Sequence, residues 1–159
     1  MNSRRTMSRS FGSVAVIVAV CAAGLRGSAG AQQTVKQVVV PPGASASATL
    51  SPGIRVGDVL YVSGQLGRKA GTPLDSTIQG QTRQALENIR SVVEAGGSTM
   101  ANVVKCTVFL VSFSDFQGMN QAYTAAFPKE PPARSTVVVA ALVSNGAKVE
   151  IECIAAIPR

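Results

Sequence analysis

The sequence predicts an α+β domain in which one β-sheet carries two helices on one of its faces. The apolar periodicity changes between strand-like and helix-like along the chain, in the order β-β-α-β-α-β-β. With 159 residues, 46% of them hydrophobic and 14% charged, the chain fits one domain with one core. Two helices can shield only one layer of such a sheet, because each is about 10 Å across.

The first 31 residues have the features of a secretory signal peptide. Arg4 and Arg5 precede an apolar run at 11–25, and residues 29–31 (AGA) carry the small side chains that a signal peptidase reads. Cleavage is expected before Gln32, with export to the periplasm or the medium by the general or the twin-arginine route. The run is shorter than the roughly 20 apolar residues that span a bilayer, so no stable membrane anchor is expected.

Residues 32–47 are interpreted as an exposed arm with one short strand at 38–40, and residues 48–159 as the folded domain. The domain opens with a hairpin, because β-type runs at 49–56 and 59–63 flank a Gly-Asp dipeptide.

Two helices and a central strand follow. Asp75 or Ser76 caps a helix that ends at residues 96–97, where two glycines stand. Residues 103–111 are apolar on both faces, which indicates a central strand. The second helix covers 114–127, with Ser114 as its cap. Its apolar stripe consists of Phe116, Met119, Tyr123 and Phe127.

A final hairpin is expected from strands at 133–142 and 148–157, since the Ser-Asn-Gly-Ala segment between them is a strong turn signal. The sheet face without helices would then remain uncovered in a single copy. An apolar face of several hundred Å² is rarely left in water, so a closed homo-oligomer is expected. The residues expected on that face are Thr136, Val138, Glu150, Glu152 and Ile154.

Charge and composition exclude several chemistries. Four of the 15 Lys and Arg residues and none of the eight acids lie in the first 31 residues, which leaves the rest with a formal charge of about +3. This is a weak footprint for a nucleic acid, so no nucleic-acid partner is expected and ribonuclease chemistry has little support. The chain has no His, which excludes a Ser-His-Asp triad and a His-ligated metal.

Cys106 and Cys153 lie in apolar alternating runs, as buried free thiols do. Export to an oxidising compartment also allows a disulfide, and the spacing does not decide between the two. There is no C-x-x-C motif, and no metal site is expected.

Arg134, Glu150 and Glu152 are the charged candidates for chemistry. The guanidinium of Arg134 can bind a carboxylate through two hydrogen bonds, although an Arg at a strand end is more often a solvated charge. Glu150 and Glu152 share one face of the last strand. They are either ion-pair partners or carboxylates suited to proton transfer.

Ser63 and Asn120 are further candidates for ligand contacts. Ser63 closes the second strand of the hairpin beside a Gly, which is also typical of a turn. Asn120 interrupts the apolar stripe of the second helix, where a solvated side chain is the alternative.

Five segments in the same order resemble the RidA/YjgF/UK114 family, and together they cover nearly all of residues 49–158. They are 61–65 (YVSGQ), 81–89 (QTRQALENI), 104–110 (VKCTVFL), 132–136 (PARST) and 149–155 (VEIECIA). The resemblance implies a chorismate-mutase-like fold, assembled as a homotrimer with ligand clefts between subunits. It also implies hydrolysis of reactive 2-imino and enamine acids to 2-keto acids and ammonia, without a metal or organic cofactor.

The resemblance assigns roles residue by residue. Arg134 matches the arginine that holds the substrate carboxylate, and Glu150 matches the glutamate that positions water. Ser63 and Asn120 match residues that line the cleft. Thr136 stands where many members have a Cys, which implies direct attack by water. The family's Gly-Pro-Tyr block before the hairpin is absent, with Leu50 near the Tyr position. A non-catalytic trimer that binds small carboxylate metabolites is the alternative function.

Overall fold

Six strands form one sheet in the order β1-β2-β3-β6-β4-β5, and two helices pack on it. The computed structural model describes residues 35–44 and 47–159. The strands are β1 Gln37–Val39, β2 Gly53–Val56, β3 Val59–Leu66, β4 Val103–Leu110, β5 Ala133–Val138 and β6 Val149–Ala156. The helices are α1 Ile78–Ala95 and α2 Phe116–Ala126. The predicted signal peptide lies outside the described residues.

The N-terminal part of the sheet agrees with the sequence prediction. β1 pairs antiparallel with β2 and begins one residue before the expected strand. β2 and β3 form the expected hairpin, in which Gly57 has φ +60°, a conformation that Gly adopts without strain.

Each helix begins at a different cap from the one predicted. Thr77 is the N-cap of α1 and its hydroxyl accepts a hydrogen bond from the Gly80 N–H at 3.0 Å. The Asp75 carboxylate instead accepts hydrogen bonds from the N–H and hydroxyl of Thr77, and these bonds lower the pKa of Asp75. Ahead of α2, Ser112 caps a 3₁₀ turn through the N–H of Ser114, so Ser114 does not serve as the cap.

The predicted hairpin between the last two strands is wrong. β4 lies between β5 and β6, pairing in parallel with β5 and antiparallel with β6. A turn does form at Ser144–Ala147, with Gly146 at φ +78°. However, the turn sequence determines only that the chain reverses direction here, and not which strands pair. The apolar β4 takes the central position, and α2 supplies the crossover that a parallel pair requires.

The two helices cover one face of the sheet, as predicted. This helix face carries the buried side chains Leu60, Val62, Cys106, Val108, Leu110, Val149, Ile151, Cys153 and Ala155. The opposite side, here called the open face, carries Tyr61, Phe109, Val137, Glu150, Glu152 and Ile154, all exposed or half-buried.

Thr136 and Val138 do not lie on the open face, contrary to the prediction. In β5 they are opposite Val108 and Leu110 of β4, whose side chains are buried against the helices. Residues that pair directly across a ladder share a face, so the position of β4 reverses the faces expected for β5.

Cys106 and Cys153 form a disulfide between β4 and β6, which settles the choice that the sequence left open. The two residues are direct partners in the antiparallel ladder, and both are buried on the helix face. Among residues 35–44 and 47–159, neither helix combines the length and the hydropathy of a transmembrane segment.

Candidate functional site

Arg134 is the second residue of β5, and α2 holds its side chain. The guanidinium carbon lies 4.6 Å from the ring centroid of Tyr123, and Nη1 is 3.9 Å from the sulfur of Met119. Among residues 35–44 and 47–159, no carboxylate lies within ion-pair distance of Arg134. Its charge and most of its hydrogen-bond donors are therefore available to an anion.

A depression of about 320 Å³ opens beside this guanidinium. Asn120 lies in it with Arg134, so the structure brings these two predicted residues together. Tyr123, Phe127 and Pro131 form its apolar wall. A small organic anion could place its charge on Arg134 and its apolar part against this wall.

Tyr123 is a member of the site that the sequence analysis placed only in the core. The residue is 4% exposed, and its hydroxyl has no hydrogen-bond partner among the described residues. Burial raises the pKa of Tyr123 to about 12, against the opposing effect of the Arg134 charge. Its position one turn after Asn120 in α2 was the available signal, because side chains three residues apart share a helix face.

Thr136 lies two residues after Arg134 on the same face of β5. The residue is half-buried, and its hydroxyl has no hydrogen-bond partner in the part of the chain described. A buried hydroxyl without a partner costs free energy, so this group is available to a ligand or to another subunit.

Glu150 lies on the open face of β6, where it is the ladder partner of Phe109 in β4 and of Leu66 in β3. Its carboxylate rests directly against Gly64, at an irregularity in the β3–β6 register between Val62 and Gln65. A depression of about 220 Å³ adjoins the side chain. Glu150 is half-buried, and its carboxylate is able to accept a hydrogen bond from water.

Ser63 also lies on the side of the open face, but its hydroxyl is engaged. It donates a hydrogen bond of 2.6 Å to the carbonyl of Ser51. Ser63 borders a cavity of about 290 Å³ with Lys105 and Glu152. The hydroxyl oxygen can still accept a hydrogen bond from a ligand. The hydroxyl proton is used in the bond to Ser51, which precedes the first strand of the hairpin.

One copy of the chain does not bring Arg134 and Glu150 together. Arg134 is in the same cross-strand row as Cys106 and Cys153, on the helix face. Glu150 precedes Cys153 by three residues in β6 and therefore points to the opposite face. The guanidinium and the carboxylate lie in separate depressions of the same subunit.

Comparison with known proteins gives consistent matches. Residues 42–157 match the family described as "Endoribonuclease L-PSP". The chain is similar to "Reactive Intermediate Deaminase A, chloroplastic" of Arabidopsis thaliana, at 38% identity over 131 residues, 80% of this chain and 70% of the relative. It is 41% identical to "2-iminobutanoate/2-iminopropanoate deaminase" of Dermatophagoides farinae over 109 residues, 67% of this chain and 84% of the relative. Both of these relatives are named as deaminases.

Solved structures show the same fold. RidA from an Antarctic Psychrobacter superposes with a TM-score of 0.70 at 38% identity, covering 76% of this chain and 99% of that one. YyfA of Yersinia pestis, described as a member of the Rid protein family, superposes with a TM-score of 0.72 at 38% identity, covering 77% and 100%.

Proposed function

Because the chain belongs to the endoribonuclease L-PSP family, which includes the RidA and YjgF proteins, we propose that it hydrolyses reactive 2-imino and enamine acids to 2-keto acids and ammonia. The observation that carries the proposal is the guanidinium of Arg134. It is held beside Asn120 in an open depression, with no carboxylate paired to it among the described residues. Such a group recognises the carboxylate that all these substrates share.

The proposed reaction needs few protein groups. Arg134 binds the substrate carboxylate, and Asn120 lines the same depression. The imine carbon is already electrophilic, so an oriented water molecule can attack it. Glu150 accepts a hydrogen bond from that water and takes a proton as the new C–O bond forms. This proton passes to the nitrogen and gives a carbinolamine. The proton of the new hydroxyl then moves to the nitrogen as the C–N bond breaks and the C=O bond forms, so that ammonia and the 2-keto acid leave.

We propose that the complete site forms between subunits of a homotrimer. Arg134 and Glu150 lie on opposite faces of one sheet, so a second copy has to supply one of them. The open face exposes apolar side chains at Tyr61 and Val137, and association of sheets would bury them.

We also propose that residues 1–31 direct export, so that the substrate is met outside the cytoplasm.

The test is the rate of ammonia release from 2-imino acids that an amino-acid oxidase generates in the same solution. The purified protein should accelerate this release. Glu150→Gln should lower kcat by about 10²-fold or more, the usual contribution of a positioned proton acceptor. Glu152→Gln is the matched control, because this acid lies two residues further on the same face of β6. An unchanged, uncatalysed rate for every imino acid would refute the proposal.

The second candidate function is binding of small carboxylates without turnover. It is favoured by the separation of Arg134 from Glu150, since the depression at Arg134 can recognise a carboxylate without Glu150. Isothermal titration with a 2-keto acid separates the two functions. Binding that Arg134→Ala abolishes, together with no turnover, would support the binding protein.

A further inference from the structure

In the candidate site, the charged side chain of Arg134 packs on the aromatic ring of Tyr123. The guanidinium carbon lies 4.6 Å from the ring centroid. The ring of Tyr123 is itself held in place, because the residue is buried and the ring centroid lies 4.8 Å from that of Phe127. The long side chain of Arg134 therefore packs against a buried ring.

The remaining contacts of Arg134 are weak. The sulfur of Met119, at 3.9 Å from Nη1, is a poor acceptor. No ion pair forms between Arg134 and an acid among the described residues. The aromatic face is thus the main contact that limits where the guanidinium can go.

A ring face suits this purpose better than a carboxylate would. It attracts the cation through the ring quadrupole, without using the N–H donors and without neutralising the charge. An acid in the same place would take the donors that a substrate carboxylate needs. The hydroxyl of Tyr123 adds no hydrogen bond within the described residues. The phenol is protonated near neutral pH, and burial raises its pKa further, to about 12, so no phenolate competes for Arg134.

We propose that Tyr123 is a positioning residue, whose aromatic face holds the Arg134 guanidinium in the orientation that binds the substrate carboxylate. This inference rests on the proposed function, because it assumes that Arg134 recognises a carboxylate. Its prediction is specific: the ring is required and the hydroxyl is not.

The experiment measures dissociation constants of the full chain for pyruvate and for its uncharged methyl ester. Tyr123→Phe keeps the ring and should leave the pyruvate constant within about twofold of wild type. Tyr123→Leu removes the ring and should lower the preference for pyruvate over the ester about tenfold, which lies between the exposed and the desolvated values of a cation–π contact. Because Tyr123 is also part of the apolar wall, any loss of wall contact should weaken the acid and the ester equally and leave this ratio unaffected. Phe116→Leu, in the same helix but stacked on Phe113, is the matched control and should change neither constant.

The ratio of the two constants separates positioning from a purely structural role. A structural defect would weaken the acid and the ester alike, whereas loss of positioning lowers only the preference for the acid. Circular dichroism and sizing check that each variant folds and assembles, and Tyr123→Met replaces the Leu variant if Leu does not fold. An unchanged acid-to-ester preference in the ring-less variant would overturn the inference alone. Failure of the wild-type protein to bind pyruvate would overturn the proposed function and this inference with it.

Discussion

The carboxylate of Glu150 occupies the space that a side chain at residue 64 would fill, and Gly64 leaves that space open. The contact joins β6 to β3 at the point where their register shifts between Val62 and Gln65. The irregularity in β3 and the missing side chain together decide where the acid lies. Sequence motifs place Gly64 and Glu150 in separate segments and do not show this dependence.

Gly64→Ala should therefore act on activity through Glu150. The new methyl group would overlap the carboxylate, which can move because it is the end of a flexible side chain. We expect the fold to survive and kcat/KM for imine hydrolysis to fall at least tenfold. The measurement is a double-mutant cycle with Glu150→Gln. In the Gln background the Ala substitution should have little further effect, and independent, multiplying effects would contradict the mechanism.

The disulfide between Cys106 and Cys153 should contribute substantially to stability. The two residues are separated by 47 positions, and closing a loop of that length in the unfolded chain is worth about 4 kcal/mol in the chain-entropy description. Urea unfolding with and without reductant, at one protein concentration, measures this difference. The double variant Cys106→Ala/Cys153→Ala is the control and should not respond to reductant. Equal unfolding free energies for the oxidised and reduced protein would contradict the prediction.

Thr136→Val should show whether the hydroxyl of Thr136 binds a ligand or supports the fold. The Thr136 hydroxyl is buried without a partner in the described residues, so a methyl group in its place should leave the unfolding free energy equal or raise it by up to about 1 kcal/mol. If the hydroxyl binds substrate, KM rises while stability does not fall. Thr82→Val removes a similarly unpartnered hydroxyl from α1 and should leave KM unchanged. Marked destabilisation by Thr136→Val would show that the hydroxyl has a structural partner in the assembly.

The buried phenol of Tyr123 should make stability fall at high pH. Its pKa is raised from 10.0 to about 12 by burial, so the folded state holds this proton more tightly than the unfolded state. The associated stability is complete below pH 10 and is lost as the pH rises from 10 to about 12. Urea unfolding across this range should show the decline in the wild type and a smaller decline in Tyr123→Phe. Identical profiles for wild type and Tyr123→Phe would contradict the assignment.

The elements that depend on local pattern were predicted well. α1 and its end at Gly96, the hairpin at Gly57, and the alternation of β6 that separates Glu150 from Cys153 all follow from periodicities of a few residues. The cap of α1 was predicted at the wrong residue. Asp75, Ser76 and Thr77 are all suitable residue types for an N-cap, and only the backbone conformation in the folded protein decides which of them takes that position.

The pairing of distant segments could not be predicted in the same way. The turn at Ser144–Ala147 suggested a hairpin, yet its flanking strands pair with β4 on either side. This arrangement depends on which strand buries the most apolar surface when it lies at the centre of the sheet, and that depends on the whole core. It also turned Thr136 to the face opposite the expected one.

The sequence by itself determined the order of helices and strands and supplied a guanidinium at Arg134 and a carboxylate at Glu150, because residue type and local period are properties of short segments. Only the tertiary structure decided that these two groups lie on opposite faces, that Tyr123 lies beneath Arg134, and that Cys106 meets Cys153. Each of these relations joins residues of different helices or strands. They are fixed by strand order and register, which arise when the core packs as a whole.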